Sequence, residues 1–218
     1  MENRYSNYRY YPELLSSALL SEEEERTIRS LREGYGGELL GMIRFNRWLD
    51  DWPAYNLAIH YMERGLTDKF LLLLFAHAYC HGLIDFHTYY EQVGFREGKA
   101  YARADTCAPS LIQNGLMLSL AFVYESVGGE RVDLCRGVPS DWYTEEGSSA
   151  EGLCTSFGRV SVRISDTEVK ICLVGSFGEV RLFLNGHEPN GPLPEGVEAR
   201  DGYLALNLPS GEISIKIK

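Results

Sequence analysis

The spacing of apolar residues changes near residue 130, and this change constrains the fold more than any other feature of the 218-residue chain. Upstream, apolar residues recur every three or four positions, which is the spacing of one face of an α-helix. Downstream, they alternate with polar residues, which is the spacing of a half-buried strand. The sequence therefore predicts two domains, a helical one over residues 1–130 and a β-rich one over residues 131–218.

The first half of the chain carries recognisable helix ends. Ser21 followed by Glu24 fits a capping box, and Pro53 and Pro109 suit first helical turns. The helix that ends at Gly82 and the one that begins at Pro109 are apolar on nearly every face, which predicts deep burial. The predicted helices cover residues 11–20, 21–32, 53–65, 67–82 and 109–123. Helices joined by short loops predict stacked α-hairpins.

The second half predicts a small β-sandwich. Glycine- and proline-rich turns separate five runs of alternating apolar residues, and two shorter runs extend the set to seven. The five runs cover residues 160–164, 169–173, 180–184, 204–208 and 213–217, and the shorter ones cover residues 132–134 and 153–157. The predicted fold class is therefore α+β, with helical hairpins followed by a C-terminal antiparallel β-sandwich.

Composition and missing motifs exclude several classes of protein. The chain has 21 Lys and Arg against 31 Asp and Glu, so its net charge of −10 argues against nucleic acid or an anionic membrane as a partner. The longest apolar segment, residues 70–80, falls short of the roughly 18 residues that a membrane span needs. The N-terminus lacks the apolar core of a signal peptide. Neither a Gly-x-Gly-x-x-Gly loop nor a Walker lysine motif occurs, and we expect no cofactor.

The cysteines and histidines predict neither a disulfide framework nor a metal site. Five cysteines are widely spaced without a C-x-x-C pair, which indicates reduced thiols in the cytoplasm, with a single disulfide as the alternative. His77 and His81 lie four residues apart on a predicted helix. The surrounding leucines offer no further metal ligands, so we expect core or interface histidines instead.

Aromatic and polar side chains are concentrated in the loop at residues 44–53. A sugar site needs flat apolar faces for the C–H groups of a pyranose ring and planar polar groups for its hydroxyls. This loop supplies both, and its candidate substrate-binding residues are Arg44, Asn46, Trp48, Asp50, Asp51 and Trp52. Alternatively, the loop is an aromatic helix start that packs on the core, with Asp50 or Asp51 as its N-cap.

A second loop, residues 85–92, contains a carboxylate among aromatic and polar residues. Glu91 follows His87 and Tyr89, which are candidate substrate-binding residues, and in such an environment a carboxylate can serve as a general acid or base. The alternative is a solvated loop glutamate. If the first interpretation holds, Trp48 and Trp52 should line a cleft on the same side as Glu91.

A third loop, residues 101–110, precedes the last predicted helix. Asp105 either caps that helix or reaches a ligand. Cys107 is a weaker candidate for a nucleophile, because no histidine adjoins it in sequence and a thiol needs an activating base or cation.

The order of these loops resembles a known family. The motifs, in chain order, are residues 37–45, 48–53, 87–92, 105–110, 134–142 and 157–162. Together they resemble the C-terminal part of bacterial six-hairpin glycoside hydrolases, in which the last hairpins of an α/α toroid precede a β-sandwich. The resemblance implies a partial α/α toroid over residues 1–130, a sandwich over residues 131–218, and carbohydrate as the ligand.

The resemblance also implies a catalytic role for Glu91. In several inverting members, a Thr-x-aromatic-Glu segment carries the general base, and residues 88–91 match that pattern. The partner acid normally lies in earlier hairpins, and no convincing match for it occurs in this chain. A toroid needs about a dozen helices, whereas 130 residues at about 12 residues per helix hold five or six. The chain therefore resembles the C-terminal half of an inverting glycosidase.

Two further hypotheses concern partners. A toroid half would leave the apolar helices at residues 70–75 and 111–123 without neighbours, which predicts a face covered by a second copy or by an N-terminal-half partner chain. Alternatively, these helices pack on each other and on the sandwich. The rival functions are a carbohydrate-binding module without hydrolysis and a structural subunit that completes the toroid of a partner.

Overall fold

The computed structural model describes residues 11–45, 48–82, 88–102, 106–207 and 210–218. The chain divides into two compact units, Met1–Leu118 and Ser119–Lys218. Within the described residues, no helix combines the length and apolarity needed to cross a membrane. All five cysteines are free thiols.

The α/α-toroid prediction for residues 1–130 is wrong, because the helices of this region share it with a five-stranded antiparallel sheet. The strands follow one another in the order β1-β2-β3-β4-β5 and take up the segments that the sequence interpretation assigned to toroid loops. The elements are α1 (Tyr11–Leu15), α2 (Glu22–Gly34), β1 (Glu38–Leu39), β2 (Met42–Phe45), β3 (Trp48–Asp50), α3 (Ala54–Glu63), α4 (Thr67–Gly82), β4 (Gln92–Arg96), β5 (Lys99–Ala102) and α5 (Ala108–Phe122).

The physical reason for the difference lies in how the short strands of unit 1 are buried. All three residues of β3 are buried, so the strand is covered on both faces and shows no alternation of apolar and polar residues. Trp48 packs edge-on against Tyr101, with ring centroids 5.2 Å apart. Gly94 on β4 makes room for this pair, because a Cβ atom there would lie 2.7 Å from the Trp48 ring. Trp48 is therefore a core residue of the sheet.

The helices of unit 1 largely follow their sequence signals. The predicted capping box is confirmed, since the Ser21 side chain accepts a hydrogen bond from the Glu24 backbone and the Glu24 carboxylate accepts one from the Ser21 N–H at 2.8 Å. Helix α3 packs against α1 and α4. An ion pair also links α2 to the residue that follows α3, because the guanidinium of Arg64 binds both carboxylate oxygens of buried Glu25 at 2.6 and 2.7 Å.

Unit 2 consists mainly of two sheets. One is antiparallel with the order β14-β10-β9-β8, and the other has the order β12-β13-β11-β7-β6. The strands are β6 (Val123–Glu125), β7 (Arg131–Leu134), β8 (Ser148–Thr155), β9 (Gly158–Ile164), β10 (Glu168–Gly175), β11 (Glu179–Leu182), β12 (Val197–Arg200), β13 (Tyr203–Leu206) and β14 (Gly211–Lys216).

The predicted all-antiparallel arrangement of the second half needs a correction, because β7 and β11 pair in parallel. Tertiary packing decides whether two strands pair in parallel or antiparallel. The alternation of side chains along a strand carries no information about this direction. The alternation itself does mark the buried positions. On β9, for example, Val160, Val162 and Ile164 are buried while Arg163 is exposed. Leu208, at the end of the run 204–208, lies outside the described residues.

Helix α2 is joined to β1 through a buried ion pair. Arg32 is fully buried, and its guanidinium lies 3.3 Å from the carboxylate of Glu38. Burial raises the pKa of Glu38, and the charge of Arg32 opposes that shift. The pair holds a cation in the interior, which is tolerable only while its counter-charge is present.

Removal of that counter-charge should destabilise the protein strongly. We expect Glu38→Ala to lower the free energy of unfolding by about 3–5 kcal/mol, because it leaves Arg32 buried and unpaired. The matched control is Glu33→Ala, which removes an exposed ion pair with Lys69 and should cost less than about 1 kcal/mol. Urea unfolding followed by circular dichroism measures both. Equal losses for the two variants would contradict the assignment.

Candidate functional site

A group of acidic residues meets at one end of the unit 1 sheet. Strand β3 pairs antiparallel with β4, with Leu49 opposite Val93 and Asp50 opposite Gln92. One residue further on, the backbone N–H of Asp51 donates to the carbonyl of Glu91 at 3.2 Å. Opposite residues of an antiparallel pair point to the same face. The pairing therefore brings Asp51 and Glu91, which are forty residues apart in sequence, side by side.

The environment of Asp51 favours its protonated form. The residue is 1 % exposed, and this burial is the main cause that raises its carboxyl pKa to about 7. The hydroxyl of Ser110, on the first turn of α5, opposes the shift, whereas the neighbouring charges of Asp50 and Glu91 add to it. Asp51 therefore holds a proton up to about neutral pH, which is unusual for a carboxyl group.

At this end of the sheet, Glu91 of the acidic group and its neighbour in the loop, Trp52, reach solvent. Glu91 is half-buried, and the indole of Trp52 is 52 % exposed beside buried Asp51. Arg44, half-buried on β2, lies opposite Leu49 of β3. The two tryptophans of the loop thus have different surroundings, since Trp48 packs inside the sheet while Trp52 presents its ring to water.

Tyr89 belongs to a buried ring stack beside the acidic group. Its ring lies 5.8 Å from that of His77, which in turn stacks on His81 at 5.1 Å. Gly82 makes this possible, because a Cβ atom there would lie 2.7 Å from the Tyr89 ring. The ring of Tyr89 is therefore fixed by packing, in a segment that is half-buried.

The histidines of the stack are neutral. Burial lowers the pKa of His77 to about 3 and that of His81 to about 4. His81 Nδ1 lies within hydrogen-bond distance of the backbone carbonyl of Tyr90. Among the described residues, no group of three or more His, Cys, Asp or Glu side chains is arranged to hold a metal ion.

Three candidate residues, Asn46, His87 and Asp105, lie outside the described residues. The described part of the third loop is anchored to the second, since the Cys107 N–H donates to the Tyr89 carbonyl at 2.8 Å. Of the remaining candidates, the structure brings Asp50, Asp51 and Glu91 together at one sheet end.

Sequence reasoning gave no role to Ser110 or Asn114. They lie four residues apart on α5, so they share one face of the helix. Ser110 acts on the pKa of Asp51, and Asn114 acts on that of His77, where it opposes the effect of burial. The signal that could have found them is their spacing of four residues in a mostly apolar helix, where Gln113 and Ser119 are the other polar side chains.

Comparison of the chain with protein-family models, with curated proteins and with solved structures finds no match.

The raised pKa of Asp51 predicts a specific pH dependence of stability. The group binds its proton more tightly in the folded protein, where its pKa is about 7, than in the unfolded chain, where an aspartate titrates near pH 3.9. Wild-type stability should therefore fall relative to Asp51→Asn as the pH rises from about 4 to 7, by up to about 1.4 kcal/mol per pH unit. Above about pH 7 the difference should stay constant.

Urea unfolding at pH 4, 5.5, 7 and 8.5 measures this difference. Asp68→Asn, at an exposed position in the first turn of α4, serves as the matched control and should change the free energy of unfolding by no more than about 1 kcal/mol. A gap between wild type and Asp51→Asn that stays the same at all four pH values would refute the assignment.

Proposed function

We propose that this protein binds carbohydrate and hydrolyses glycosidic bonds, with Asp51 and Glu91 as its two carboxyl groups. The observation that carries the proposal is the pairing of a carboxyl group protonated up to about pH 7 with a second, half-exposed carboxyl group next to it. Glycoside hydrolysis needs one carboxylic acid to protonate the leaving oxygen and one carboxylate to activate water or attack the sugar.

The two carboxyl groups differ in the way this chemistry requires. Asp51 is buried, and that environment keeps the carboxyl group protonated up to about pH 7. Glu91 is half-buried, so a water molecule or a sugar can reach it from solvent. We assign the general acid to Asp51 and the general base to Glu91. In this proposal the proton donor belongs to the same chain as Glu91, whereas the sequence interpretation expected it from missing hairpins.

The surroundings of the pair suit a sugar. The exposed indole of Trp52 offers a flat apolar face next to Asp51, and pyranose rings stack on such faces through their C–H groups. Arg44, half-buried on β2 of the same unit, adds a planar cation.

The same ligand chemistry suits a binding protein that does not turn over its ligand, which is the closest alternative. In either case we propose the cytoplasm as the site of action, supported by five free thiols. The net charge of −10 supports a neutral or polar ligand over nucleic acid or an anionic membrane.

Variants of three residues test the proposal. The wild type is screened against a panel of oligosaccharides by calorimetry and by release of reducing ends. Glu91→Gln and Asp51→Asn should each lower the hydrolysis rate by about 10²–10⁴-fold while they retain binding, because each removes acid–base catalysis. Trp52→Ala should weaken binding about tenfold, through loss of stacking. The anomeric configuration of the product, read by NMR, tests inversion against retention.

Tyr79→Ala is the matched control, since it removes an exposed aromatic ring from α4 and should leave sugar binding unchanged. Binding without turnover in the wild type would identify the binding alternative. Failure to bind any member of the panel would contradict the carbohydrate proposal in both forms.

A second candidate function, a subunit that packs on another chain, is favoured by one observation. Helices α4 and α5 carry seven large apolar residues that are each between 38 and 62 % exposed. They are Leu72, Phe75, Tyr79, Leu111, Ile112, Leu116 and Leu118. Extended exposed apolar surfaces are uncommon on monomers that function alone. The covering chain would be a second copy or a different polypeptide.

Light scattering at micromolar concentration tests the second-copy form. We expect a dimer for the wild type and a monomer for Phe75→Asp, because a charge within an apolar contact leaves a buried, unpaired group. Leu19→Asp is the control, at an 82 % exposed apolar residue outside these helices, and should leave the dimer intact. A monodisperse wild-type monomer would contradict self-association.

A further inference from the structure

The solvent face of the β8-β9-β10-β14 sheet contains a groove of about 420 Å³. This volume lies within the range of small-molecule sites. The groove belongs to unit 2 and shares no residue with the Asp51–Glu91 site.

The groove results from the size of the side chains across three paired strands. Its floor is the half-buried pair Ser161 and Cys172, which lie opposite each other on β9 and β10. Long side chains rise around this floor, with Arg163 and Lys170 as an adjacent pair on one side and Glu212 opposite Cys172 on β14. Small residues between long ones leave a depression on the sheet.

A β-bulge supplies one end of the groove. The register between β8 and β9 shifts between Ala150 and Leu153, where Gly152 adopts a positive φ of 65°. The Gly152 N–H donates to the Ser161 hydroxyl at 3.0 Å, which fixes the bulge over the floor. Bulges redirect side chains, and this one places Glu151 in the groove wall.

The charges of the groove are only partly neutralised by the protein. Lys170 is paired with Glu168 at 3.1 Å. The Arg163 side chain, by contrast, forms no ion pair or hydrogen bond with any other described residue, and the same holds for the side chains of Glu151 and Glu212. The groove therefore offers one unpaired guanidinium and two unpaired carboxylates around a floor of one hydroxyl and one thiol.

We propose that this groove binds a carboxylated sugar, with the sugar carboxylate on Arg163 and sugar hydroxyls on Glu151 and Glu212. A guanidinium binds a carboxylate through two parallel hydrogen bonds. Carboxylates accept hydrogen bonds from hydroxyl groups, so the two glutamates suit a ligand rich in hydroxyls. Inorganic phosphate fits less well, because near neutral pH it carries more negative charge than a single sugar carboxylate and is repelled more strongly by the two glutamates.

Two ligands that differ only at C6 test the charge requirement. D-galacturonate and D-galactose are titrated into the full chain, and backbone amide shifts are followed by NMR. We expect galacturonate to shift amides of β9 and β10 and to bind about tenfold more tightly than galactose, since a charge-assisted bidentate contact is lost in the neutral sugar.

Variants on the same strand test the residue assignment. Arg163→Gln should lower the affinity for galacturonate about tenfold and abolish the preference for galacturonate over galactose. Arg163→Lys should retain part of that preference. Arg159→Gln is the matched control, because Arg159 lies four residues away on β9 and outside the groove. Asp51→Asn and Glu91→Gln should leave this binding unchanged, so it can be separated from the site in unit 1.

Several results would overturn the proposal. Equal affinity for the two sugars, an equal loss in Arg159→Gln and Arg163→Gln, or the absence of amide shifts in β9 and β10 would each do so. Competition by inorganic phosphate at the same concentration as galacturonate would show that the groove binds anions without selectivity for a sugar. That result would also overturn the proposal.

Discussion

The antiparallel pairing of β3 with β4 is the constraint on which the candidate site in unit 1 depends. It places Asp51 beside Glu91, and a shift of one residue would turn each side chain to the other face of the sheet. The register is fixed by apolar packing, because Leu49 and Val93 lie opposite each other and are both buried. The apolar pair of Leu49 and Val93 thus brings Glu91 close to Asp51, whose pKa the charge of Glu91 raises.

Unit 1 buries several titratable groups in their neutral forms. Asp51 keeps its proton up to about pH 7, and the pKa values of His77 and His81 are lowered to about 3 and 4. Neutral forms avoid most of the cost of placing a charge in an apolar interior. A well-packed core of aliphatic residues would be more stable. Buried titratable groups such as these are therefore typical of a functional site. Unit 2 differs, because the unpaired charges of its groove lie on the solvent side of a sheet.

Parts of the fold could be predicted because they depend on neighbouring residues alone. The capping box at Ser21 and the buried positions of β9 follow from spacing over a few residues. The unit 1 sheet could not be predicted in this way. Its strands have two to five residues, and β3 is buried on both faces, so no alternation marks it. The same segments were therefore interpreted as loops of helical hairpins.

The sequence by itself determined the residue types of the candidate site, with Glu91, Asp51 and Trp52 in segments rich in aromatic and polar residues. It also determined the change from helical to alternating spacing along the chain. Only the tertiary structure decided that Asp51 and Glu91 are neighbours, that Trp48 is core while Trp52 is exposed, and that Asp51 holds a proton near neutral pH. The physical reason is that a pKa depends on burial and on charges brought close by strand pairing, and both arise from contacts between residues far apart in sequence.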